Sequence, residues 1–89
     1  MINTELVNEH LQKSRLPENN LDVGMKRSNA VARMALDKLL ASKSVDTAIR
    51  ELEMDVISSR MMSFSLLAGA IESDAVSWLK SRTSIYESA

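Results

Sequence analysis

The chain has no cysteine, so neither a disulfide framework nor a thiolate metal site is open to it. Nothing therefore points to an oxidising compartment, and a cytoplasmic setting is the expectation. One proline and two glycines in 89 residues leave scarcely any material for the tight turns of a multi-stranded sheet. An all-α fold follows. With a single histidine, a single tyrosine and no glycine-rich phosphate loop, the chain lacks a nucleophile, base and oxyanion set. Neither an enzymatic activity nor a cofactor is expected. The net charge of −1 gives no whole-protein attraction to nucleic acid or to an anionic membrane surface. The longest uncharged run, 61–71, would span about 16 Å as a helix, roughly half of a bilayer's hydrocarbon core. Glu5 and Glu9 replace the basic-then-apolar layout of a signal peptide. No membrane association is expected.

What is present is apolar patterning at helical spacing. Apolar residues make up 45% of the chain and charged ones 26%, which suits one small globular domain over 1–89. Met54, Ile57, Met61, Phe64, Ala68, Ile71, Ala75 and Trp78 recur at strict three-then-four intervals. Such a stripe must be covered, either by other helices of the chain or by a second copy.

Punctuation along the chain predicts a three- to four-helix bundle. A first helix spans about 4–14, with Asn3 as N-cap and a narrow buried stripe of Leu6, Val7, His10 and Leu11. The stripe predicts light packing. A loop covers 16–24, where Pro17 disfavours helix before it and Asn19 and Asn20 favour turns. Helix two covers about 25–41 and presents Ala30, Val31, Met34, Ala35, Leu39 and Leu40 on one face. Ser44 can cap helix three, which starts near Val45 and carries the stripe from Met54, preceded by Val45, Ala48, Ile49, Leu52 and Val56 on an overlapping face. Helix three ends at 71 or continues to 82. Gly69 could cap its C-terminus, and Ser73 with Asp74 could open a fourth helix over 75–82. Because the apolar register crosses this region without a slip, a long central third helix is predicted. Residues 83–89 read as frayed.

With Met54 at heptad position a, the flanking positions include Ser58, Arg60, Ser65, Leu67, Glu72 and Asp74, a poor set for a parallel zipper. Between Met61 and Ile71 the helix is apolar nearly all round, which predicts burial all round. Two further short helices can scarcely supply that cover. Homodimerisation through helix three is the expectation, with Met61, Phe64, Leu67, Ala68, Ile71 and Trp78 as the self-association residues.

Other constellations are thin. His10 lies among Leu6, Val7 and Leu11, where a histidine normally packs, and no proton-relay partner is placed beside it. Glu51, Glu53 and Asp55 alternate, which spreads them around a helix instead of converging them on a metal ion. The chain carries an excess of three positive charges over 21–43 and of three negative charges over 44–72. Mutually attracting helix faces account for this. A helix-turn-helix cut of 44–62, with its turn near Glu53 to Asp55, would set three carboxylates toward phosphate. A small regulatory, adaptor or chaperone-like homodimer acting by protein–protein contact is the predicted function. The alternative is a DNA-binding regulator using Lys26, Arg27 and Arg33 on helix two.

Overall fold

The computed structural model describes residues 2–14, 23–62 and 68–87, and every regular element among them is an α-helix. The order is α1 (Thr4–Lys13), α2 (Val23–Ser42), α3 (Val45–Met62), α4 (Ala70–Lys80) and the single turn α5 (Thr83–Tyr86). The predicted loop over 16–24 falls largely outside the described residues, and Val23 and Gly24 already belong to α2.

Local chemistry sets the starts. The Asn3 side chain accepts from the Leu6 amide at 3.2 Å, as an N-cap does. The Ser44 hydroxyl lies 3.4 Å from the Thr47 amide and opens α3 in the same way, although at a long distance. The Glu87 carboxylate reaches the Val45 amide at 3.4 Å, so a residue from the far end of the chain also faces the start of α3. Between α2 and α3 the backbone turns at Lys43 with φ of 60°, and the Lys43 amide bonds the Leu39 carbonyl at 2.8 Å. That is a left-handed helix ending in which lysine stands where glycine is commoner.

The long central third helix does not form. α3 covers Val45–Met62, and a separate α4 beginning at Ala70 packs back against α3 and against α2. Gly69, with φ of +78°, stands at the head of α4 instead of capping α3 from behind. Its conformation is open to glycine at little cost, and a Cβ there would lie 3.2 Å from the Val56 carbonyl oxygen. The head of α4 therefore sits directly against the Val56 backbone of α3. Ser73 and Asp74, predicted to open this helix, lie inside α4, one turn past its N-cap Gly69. Unbroken apolar periodicity could not reveal the break, because spacing states which side chains share a face and not whether one continuous helix carries them.

α1 packs on α2, while α2, α3 and α4 touch one another in turn. The core holds Val7 and Leu11 of α1, Val31, Ala35, Leu36 and Leu39 of α2, Val45, Ala48 and Leu52 of α3, and Ala75, Val76 and Leu79 of α4. Burying such aliphatic side chains is the main favourable term in folding, about 1.5–3 kcal/mol for each large one. α1 is held more firmly than its narrow stripe predicts. Tyr86 closes on it: the Asn3 amide donates to the Tyr86 carbonyl at 2.8 Å, and Ile2 pairs with Glu87 in an isolated antiparallel bridge.

The tail is also not frayed over its described part. Tyr86 is almost completely buried, lies 2.5 Å through its hydroxyl from His10 Nδ1, and stacks on Trp78 at 5.8 Å between ring centroids. His10 meets the Tyr86 ring edge-on at 82°. Burial pushes the Tyr86 hydroxyl above the ordinary tyrosine range, with the Arg82 charge pulling partly against it. Nothing in the local sequence of residues 83–87 announces this, because a lone aromatic has no periodicity to betray its direction.

Candidate functional site

α3 is an 18-residue helix with two unlike faces. Val45, Ala48 and Leu52 face inward against α2 and α4, with Ile49 packed beside them. The opposite face shows Met54, Ile57 and Met61, which are 64%, 56% and 80% exposed. Met62 beside them is 89% exposed. Spaced at three and four, the first three stand one above another, so they form a single apolar row and not scattered surface residues. The row lies on the outer surface of a helix whose other face already has its cover.

The row is edged by charge. Asp46, Glu53 and Arg60 follow one border, and Glu51 with Ser58 the other. Glu53 reaches Lys80 of α4 at 3.8 Å, whereas Arg60 makes no ion pair with another described residue. A shallow groove of about 310 Å³ runs beside the row between α3 and α4, floored by Val56, Ile57 and Val76. It extends the apolar strip sideways toward α4.

Those of the residues predicted to self-associate that are described do not share one face. Met61 belongs to the exposed row. Phe64 and Leu67 lie outside the described residues, and Ala68 is half-buried in the turn before α4. Ile71 and Trp78 are on α4 and pack against the core, with Trp78 also carrying the Arg82 guanidinium 4.3 Å above its ring. Met54 and Ile57 were legible as members of the stripe, but which half of that stripe would meet solvent was not.

The basic residues of α2 are dispersed in their commitments. Arg27 binds Asp74 of α4 at 2.6 Å, while Lys26 and Arg33 are exposed. Lys38 links α2 to Asp55 at 3.1 Å and to Glu51 at 3.9 Å. The charge asymmetry along the chain is thus used in part to hold α2 against α3 and α4, through pairs whose exposure keeps each one worth at most about 1 kcal/mol. A cleft of about 530 Å³ beside Arg27 contains that Asp74 pair together with Trp78 and Arg82. The helix-turn-helix cut is not realised, since α3 passes through Glu53 to Asp55 without interruption.

Among the described residues no group of three histidine or acidic side chains could hold a metal ion. Among the described residues no helix is long and apolar enough to cross a membrane. Comparison with protein-family models, with curated proteins and with solved structures returns no match.

Proposed function

We propose that this chain is a small non-enzymatic regulatory or adaptor protein that acts through protein–protein contact, pairing with a second copy of itself through the outward face of α3. The observation that supports it is the exposed row of Met54, Ile57 and Met61 on a helix whose inward face is already filled. Contiguous apolar surface of this kind is costly to leave in water and marks contact surfaces in soluble proteins. Methionine suits such a surface, because its flexible, polarizable side chain conforms to a partner without a fixed shape of its own. A nucleic-acid reading through Lys26, Arg27 and Arg33 has less support. The guanidinium of Arg27 is engaged by Asp74, and the acidic border of α3 would repel phosphate.

Light scattering over a concentration series tests the proposal. The mass is expected to rise from one chain toward two, and the double variant M54E/M61E is expected to remain at one chain with unchanged helicity. A mass of one chain for the parent protein at every concentration defeats it.

A further inference from the structure

We infer that the second copy docks antiparallel, α3 against α3, with Arg60 of each chain meeting the partner's Glu53. This rests on the self-association proposed above and adds the direction of pairing. The exposed row is the apolar part of a seam along α3 that has Thr47, Met54 and Met61 along one side and Arg50 and Ile57 along the other. Together they make a seam of the kind that pairs helices by knobs into holes. Its borders decide the direction.

In a parallel pair, unlike borders meet, five residues out of step. That sets Asp46 against the partner's Glu51 and Glu53 against the partner's Ser58, giving repulsion at one level and no ion pair at the other. In an antiparallel pair, like borders meet. With the two-fold axis midway between Met54 and Ile57, each Met54 is level with the partner's Ile57 and each Met61 with the partner's Arg50. Each Glu53 then reaches the partner's Arg60, and the two-fold makes that contact twice. Arg50 can cover the Met61 thioether with its aliphatic stem while its guanidinium stays on Asp46, which it holds at 3.1 Å. The arrangement gives Arg60 a carboxylate, and the one that Glu53 offers is bound only at 3.8 Å to Lys80 within its own chain. Four apolar side chains around the axis, flanked by two symmetric ion pairs, make a small interface at the weak end of specific association.

The chain's lack of cysteine makes cross-linking decisive. Arg50→Cys and Met61→Cys proteins, mixed in equal amounts and oxidised, are expected to yield the mixed disulfide, with little of either self-pair, since antiparallel packing puts the two copies of position 61 about 16 Å apart along the axis. A dominant disulfide between two copies of the Met61→Cys protein overturns the direction and leaves self-association standing. Absence of every disulfide, together with a one-chain mass, overturns both. Charge exchange supplies an independent reading: E53R and R60E are each expected to weaken dimerisation about tenfold, and E53R/R60E to return it to within about threefold of the parent. Loss without recovery in the double variant counts against the antiparallel register.

Discussion

α3 and α4 carry the two halves of one apolar stripe, and the halves meet opposite fates. On α4, Ala75 is fully buried and Ile71 and Trp78 pack against the core. On α3, Met54, Ile57 and Met61 stand in solvent, and the buried side is the other apolar face, Val45, Ala48 and Leu52. Spacing in sequence states which side chains share a face of a helix. It does not state what that face meets, because the cover comes from elements brought up by the rest of the chain. Here α4 lies against the Val56 side of α3, and among the described residues the Met54 row is left largely exposed.

The largest expected effect separates the two faces of α3 directly. Leu52→Ala removes a fully buried side chain and is expected to cost about 2–5 kcal/mol in chemical denaturation, whereas Met54→Ala on the opposite face should stay within about 0.5 kcal/mol when measured at concentrations where the chain is monomeric. Comparable losses for both would mean that the Met54 row is covered in the monomer.

Next in size is the contact at the head of α4. Gly69→Ala forces a Cβ into the left-handed region and to 3.2 Å from the Val56 carbonyl, and a loss of about 1–2 kcal/mol is expected. No loss would show that α3 and α4 are free to part at this point, dissolving the contrast between them.

The smallest effect concerns the closed end of the molecule, where Tyr86 seals α1 against the rest. Tyr86→Phe keeps the ring and deletes the His10 contact, with an expected cost of about 1 kcal/mol near neutrality. The sign of its pH dependence follows from the raised hydroxyl pKa. In the folded state Tyr86 keeps its proton above the pH at which the unfolded chain loses it. Its contribution is full below the ordinary tyrosine value near pH 10, and declines as pH rises from there through the folded-state value. Denaturant midpoints compared at pH 8 and above pH 10 should therefore fall more steeply for the parent than for Tyr86→Phe. Equal slopes would remove the burial argument for this residue.

Much of the fold was legible. The scarcity of glycine and proline, the Asn3 and Ser44 caps, and the inward faces of α1 and α2 all follow from residue type and spacing, which act within a few residues of chain. The candidate face was half legible. Met54, Ile57 and Met61 were visible as one row, but Ile71 and Trp78 were grouped with them because the apolar spacing in the sequence runs on from α3 into α4. The seating of Tyr86 was hidden, since its partners His10 and Trp78 are distant in sequence or on another helix.

By itself, then, the sequence determined that this protein is helical, which side chains share each helical face, and where α1 and α3 begin. These are consequences of dihedral preference, capping and 3.6-residue periodicity. Only the tertiary structure decided which apolar face is covered, because burial depends on contacts between α2, α3 and α4 that no local pattern encodes. The stripe from Met54 to Trp78 is one pattern in the chain and two surfaces in the molecule. One of them is closed by the core, and the other stands largely in solvent.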